Sequence, residues 1–102
     1  MASVREFFEE LPSKVDPNRT AGVNNTYVFD IEGAGTWTVA VHDGQVEVTE
    51  GDTGEGDVTI SSSAQNFERI VSGDQNPTTA YMSGKLKVKG DIGAAMKLQK
   101  LF

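Results

Sequence analysis

The stretch Asn76 to Phe102, NPTTAYMSGKLKVKGDIGAAMKLQKLF, sets down a helix, a strand and a second helix in one unbroken run. Asn76 can cap a helix that begins at Pro77, where the missing backbone N–H costs nothing, and Gly84 can end it in a left-handed turn. In Lys85-Leu86-Lys87-Val88-Lys89 the strict alternation sends Leu86 and Val88 to one face and three lysines to the other, the mark of a half-buried strand. Gly90-Asp91 breaks that strand and caps the final helix, in which Ala95, Leu98 and Phe102 form a stripe with Ile92, Met96 and Gln99 on its flank.

Upstream the same signals recur. Ser3 and Glu6 form a capping box, Val4, Phe7, Phe8 and Leu11 follow at helical spacing, and Pro12 limits that helix's extension. Asp16-Pro17 starts a short second helix before the loop at Gly22-Val23-Asn24-Asn25. Tyr27, Phe29 and Ile31, then Trp37, Val39 and Val41, then Val46 and Val48 alternate with polar neighbours, and the turns at Gly33-Ala34-Gly35 and Asp43-Gly44 make these three strands an antiparallel meander. After the acidic, turn-forming run Glu50 to Gly56, Val58 and Ile60 mark a fourth strand. Ser62 and Gln65 make a second capping box, and Phe67, Ile70 and Val71 stripe a helix that Gly73 closes. Strands with one polar face and helices with one apolar stripe require an α+β fold, with helices stacked on one side of a mainly antiparallel sheet of five strands.

At 102 residues the chain is expected to form one domain, residues 1–102, with a core that suffices but leaves little to spare. The absence of cysteine excludes a disulfide framework and a thiolate metal site. No apolar run approaches a membrane span, and Met1 to Glu6 carry no apolar signal core, so a soluble, cytoplasmic protein is expected. A net charge of −6 argues against nucleic acid as a partner. That charge is lopsided: residues 85–102 hold Lys85, Lys87, Lys89, Lys97 and Lys100 against Asp91 alone, while acidic side chains dominate the rest. Lysines on an edge strand discourage aggregation, and lysines late in a helix suit its dipole. The other reading is a basic end that makes transient contact with an anionic membrane or an enzyme; the acidic remainder weighs against it.

Catalytic machinery is not legible. His42 is the sole histidine, lies beside a tight turn and is expected to face solvent, with no ligand spacing around it. Glu50, Asp52, Glu55 and Asp57 depart from the spacing of a calcium loop and read as a solvated acidic hairpin. Ser61-Ser62-Ser63 reads as a helix cap, since no nucleophile elbow surrounds it, and the glycines at 51, 54 and 56 sit among acids, where no phosphate would bind. The expectation is therefore no enzyme, no metal and no cofactor. What remains is the apolar surface of the helix stripes, which on the residues alone is most simply an ordinary core.

Four pieces in order carry a resemblance: Asp16-Pro17; the Gly-x-x-Thr-Trp37 strand ending in His42-Asp43-Gly44; Asp57-Val58-Thr59-Ile60-Ser61 leading into Phe67; and Gly73-x-x-Asn76-Pro77 through Gly84-x-Leu86-x-Val88-x-Gly90-Asp91. In these the chain resembles the sterol carrier protein type two family of small lipid-binding, sterol-transfer domains. The resemblance implies a five-stranded sheet covered on one face by helices, with a hydrophobic tunnel between them for sterols, fatty acids or acyl-CoAs. It does not carry over the peroxisomal address with which eukaryotic members often end, the last residues here being Leu101-Phe102. It implies a non-catalytic intracellular carrier, monomeric or weakly dimeric, whose ligand meets Phe7, Phe8, Leu11, Phe67, Ile70, Val71, Tyr81, Met82, Met96, Gln99 and Phe102. Met82 and Met96 suit an adaptable lining, Tyr81 offers a phenol at one end, and Gln99 is either a partner for a polar head or an exposed helix residue. The alternative is a protein-interaction or accessory module with a filled core, pairing with itself or an enzyme. A vacant closed tunnel of even 300 Å³ would cost about 7 kcal/mol at about 24 cal/mol per Å³, much of a small domain's stability.

Overall fold

A computed structural model describes residues 4–97. The elements run α1 (Val4–Lys14), α2 (Pro17–Thr20), β1 (Asn24–Glu32), β2 (Gly35–His42), β3 (Gln45–Glu50), β4 (Val58–Ser63), α3 (Ala64–Val71), α4 (Pro77–Met82), β5 (Leu86–Gly90) and α5 (Ile92–Met96). The strands form one mixed sheet in the order β3-β2-β1-β4-β5. The β1–β2, β2–β3 and β4–β5 pairs are antiparallel, as their turns require, whereas β1 and β4 run parallel, Phe29 opposite Ile60. The expected α+β architecture with a mainly antiparallel sheet of five strands is thus the one observed.

Alternation puts the apolar side chains on the helix side of the sheet. One row crosses four strands there, from Trp37 through Phe29 and Ile60 to Val88. At the Trp37 end α1 and α3 fill the space with rings. Phe8, fully buried, stacks on Trp37 with centroids 4.6 Å apart and on Phe67 at 5.5 Å, and Phe29 closes the cluster at 5.2 Å from Phe8. Offset and stacked rings at these distances add to what burial alone supplies. Arg5 caps the outside, holding Glu50 through paired hydrogen bonds of 3.0 and 2.9 Å while its guanidinium lies 5.9 Å from the Trp37 ring.

Several local boundaries differ from the sequence reading, most of them by one residue, and three have a clear physical reason. Helix α1 continues past Pro12 to Lys14. A proline removes one N–H and so one hydrogen bond, and here it falls in the last turn, where Val15 N–H still donates to the Leu11 carbonyl and Lys14 pairs with Glu10 at 2.9 Å. The first strand starts at Asn24, inside the stretch read as loop, because β2 extends to His42 opposite it. The cap of α3 is Ser63 in place of Ser62, its Oγ accepting from Asn66 N–H at 3.2 Å. Ser62 belongs to the strand, buried, with its hydroxyl donated to the Ser63 carbonyl. The capping box at Ser3 lies outside the described residues.

The acidic run after β3 folds onto the other face of the sheet. Thr38 donates its hydroxyl to the Gly51 carbonyl at 2.6 Å and accepts from Thr53 N–H, which leaves Thr38 and Val28 buried under the loop. Its carboxylates serve separate structural tasks: Glu50 binds Arg5, Asp52 accepts from Gly54 N–H, and Asp57 accepts from Thr26 N–H.

Candidate functional site: an apolar pocket between the last two helices

At the β5 end of the same sheet face the helices do not fill the space. Helix α4 is set by Asn76, whose Oδ1 accepts from Thr78 and Thr79 N–H, and by Pro77 in the first turn. Gly84, at φ 81°, then reverses the chain into β5. Gly90 ends that strand at φ 116°, so close to Asp57 that a Cβ would stand 2.6 Å from its carbonyl oxygen. That oxygen accepts from Asp91 N–H, and Asp91 in turn caps α5 by accepting from Ala94 N–H. Asp57 therefore fixes where α5 begins.

A second tie comes from the sheet. Tyr27, fully buried on the central strand, donates its hydroxyl to the Ala94 carbonyl at 2.7 Å. Burial, with smaller contributions from Asp57 and Asp91, pushes the phenol's pKa up to about 12, so it is a neutral donor at any physiological pH. The residues by which α4 and α5 reach the core are small, Ala80 and Ala94, where α1 and α3 offer phenylalanines.

Between the two helices lies a pocket of about 330 Å³. Ile60, Leu86 and Val88 form its floor, Pro77, Thr78, Tyr81 and Met82 one wall, and Ile92, Ala95 and Met96 the other. Its size is at the lower end of small-molecule sites. It opens to solvent past Tyr81, Met82, Ile92 and Met96, all exposed. Water can fill an open pocket, so the cost of a sealed void does not apply in full; the penalty is wetted apolar surface.

The structure thus divides the expected ligand-binding residues. Tyr81, Met82 and Met96 come together at the pocket. Phe8, Leu11, Phe67 and Ile70 are buried in the packed core, with Phe7 and Val71 partly buried against it. Gln99 and Phe102 lie outside the described residues, as does Lys100. Ile60, Pro77, Thr78, Leu86, Val88, Ile92 and Ala95 line the pocket without having been singled out as ligand contacts. For Leu86, Val88 and Ile92 the signal was present, since their alternation or helical flank already placed them on the inner side. His42 is exposed, and among the described residues no cluster of His, Cys, Asp or Glu is disposed to hold a metal ion. No helix there is long and apolar enough to cross a membrane.

A helix-covered mixed sheet with an apolar pocket opening between α4 and α5 defines a small α+β fold with room for an apolar guest. The chain belongs to the SCP-2 sterol transfer family, which it matches over residues 4–102. Such a domain implies lipid binding and transfer as its class of function. The chain is 34% identical over 101 residues to hydroxysteroid dehydrogenase-like protein 2 of Xenopus tropicalis, an alignment covering 96% of the chain and 24% of that relative. It spans about a quarter of the relatives of this kind that it matches. Among solved structures it is similar to the sterol carrier protein domain 2 of Helicoverpa armigera, with 32% identity and a TM-score of 0.73, covering 93% of the chain and 79% of the other. It is also similar to palmitated SCP2L2 of Aedes aegypti, with 25% identity and a TM-score of 0.77, covering 98% and 94%.

Proposed function

We propose that the chain is a non-catalytic carrier, working inside the cell, that takes an elongated apolar molecule such as a fatty acid, acyl-CoA or sterol into the pocket between α4 and α5 and hands it on. The pocket itself carries this reading: about 330 Å³ lined almost wholly by apolar side chains. Burying a dozen methylenes at about 0.8 kcal/mol each supplies about 10 kcal/mol. Against the lower part of the roughly 4–15 kcal/mol that association costs, this leaves a few kcal/mol, which suits reversible binding of an acyl chain. Two methionines at the rim supply side chains that re-pack around guests of different shape. The palmitated Aedes aegypti neighbour supports an acyl chain as the guest.

Native mass spectrometry of freshly purified protein is expected to show co-purified lipid, and delipidated protein should melt at a higher temperature when a fatty acid is added. A melting point indifferent to fatty acids, sterols and acyl-CoAs alike would remove the basis for a carrier.

One observation favours a second reading. The relatives matched are about four times longer than the aligned region, so the same fold can serve as an accessory module of an enzyme. Ligand-free protein with a concentration-dependent mass would point to that role.

A further inference from the structure

The pocket mouth and the lysine-rich end occupy the same part of the molecule. Tyr81, Met82, Ile92 and Met96 are the large apolar side chains left exposed among the described residues, Met82 and Met96 at 81% and 72%, and all four line the pocket. Apolar exposure gathered in one place marks a contact region, whereas scattered exposure marks nothing. Lysines interleave with it: Lys85 follows the turn that closes α4, Lys87 and Lys89 alternate with Leu86 and Val88, and Lys97 follows Met96. All four are exposed, and the ion pairs among the described residues join other groups, Arg5 with Glu50 and Lys14 with Glu10. Because β5 is an edge strand, a flat surface laid against that edge meets the mouth on one side of the strand and the lysines on the other.

We propose that this edge docks on an anionic bilayer, with Met82, Met96 and Tyr81 in the headgroup boundary and Lys85, Lys87, Lys89 and Lys97 among acidic lipid heads. The mouth would then face the source of its cargo, so the proposal rests on the carrier reading. Tyrosine suits the interface, and lysine stems reach to it. The molecule's net charge of −6 does not prevent this. The acidic edge strand β3, with Glu47 and Glu50, stands four strand spacings away, about 19 Å at about 4.8 Å each, beyond the Debye length of about 8 Å at physiological salt. Nearer acids are Asp91, engaged as the cap of α5, Asp57, engaged with Thr26, and Asp30 and Glu32, which share a cleft with Lys85 and Lys87 on the open sheet face. Those last two soften the field of Lys85 and Lys87 without cancelling it, and Lys89 and Lys97 lie outside that cleft.

The test uses the whole chain with phosphatidylcholine vesicles, with and without phosphatidylserine. Binding is expected only to the anionic vesicles and should weaken as salt rises. Each lysine at an anionic surface contributes a factor of about five, so the combined change of Lys85, Lys87, Lys89 and Lys97 to Gln should weaken it more than about tenfold. Uptake of a soluble fluorescent fatty acid by that variant should stay unchanged, which also shows that it is folded. Fluorescence of the Met82→Trp variant should be quenched by brominated acyl chains. Equal vesicle binding by wild type and the lysine variant, no quenching at position 82, or a stable dimer that shields that position would each overturn the proposal. Loss of fatty-acid uptake by the wild type with vesicle binding intact would instead sink the carrier reading and leave docking standing.

Discussion

The two ends of the helical layer solve the same packing problem differently. Under α1 and α3 the sheet meets Phe8 and Phe67, and Phe8 stacks on both Trp37 and Phe67. Under α4 and α5 it meets Ala80 and Ala94, the larger side chains turn outward, and a pocket remains. One row of the sheet, Trp37 to Val88, touches both. The difference shows how a small domain can keep a hollow: the aromatic end supplies most of the packing, and the hollow end is held by hydrogen bonds, from Asp91 N–H to the Asp57 carbonyl and from the Tyr27 hydroxyl to the Ala94 carbonyl.

Truncation contrasts the two ends most strongly. Phe8→Ala is expected to cost about 3–5 kcal/mol in denaturant melts, enough to unfold much of the protein, whereas Met82→Ala, at a largely exposed position, should change stability by less than about 0.5 kcal/mol. Equal costs would mean that the hollow end is packed too. Next comes occupancy. At a hundredfold excess over the dissociation constant a fatty acid should stabilise the protein by about 2.7 kcal/mol. Ala95→Trp, which fills the pocket from its α5 wall, should erase that gain in a thermal shift while raising or preserving the ligand-free melting point.

The sequence announced the closed end and the punctuation of the open one. Alternation at Tyr27, Phe29 and Ile31, the caps at Asn76 and Asp91, and the turn at Gly84 were readable because each is a local rule satisfied within a few residues. The parallel seam between β1 and β4 was not, since strand order depends on contacts between distant segments. Nor could periodicity tell that Phe8 fills a core while Met82 lines a gap. Both lie on the apolar stripe of a helix, and only the spacing between helices separates them. The Asp57 tie was hidden for another reason: an acidic residue in an acidic loop reads as solvated, and its role appears only when Gly90 is seen against its carbonyl.

Two smaller effects sharpen the contrast. Tyr27→Phe removes the hydrogen bond to Ala94 and should cost about 1–2 kcal/mol, concentrated in faster exchange of α5 amides. With its pKa raised from 10.0 to about 12, wild-type Tyr27 keeps its full contribution below pH 10 and loses it as pH rises toward 12. The variant should lack that alkaline slope. The smallest effect belongs to the exposed Arg5–Glu50 pair at the filled end. Hydrogen bonds from Arg5 hold the Glu50 carboxyl below its ordinary 4.5, so its contribution is present above that value and lost as pH falls through the lowered one. Glu50→Gln should flatten the acid limb of the stability curve and leave fatty-acid uptake untouched.

The placement of β1 between β2 and β4 also orders events in time. The meander β1-β2-β3 closes through two tight hairpins, whereas the seam to β4 must first bring together segments about thirty residues apart. Loop-closure entropy therefore delays the seam, and the floor of the pocket, built from β4 and β5, waits on it. A nascent chain is accordingly expected to complete its first sheet half early and the pocket between α4 and α5 last, with that pocket the part most readily opened again.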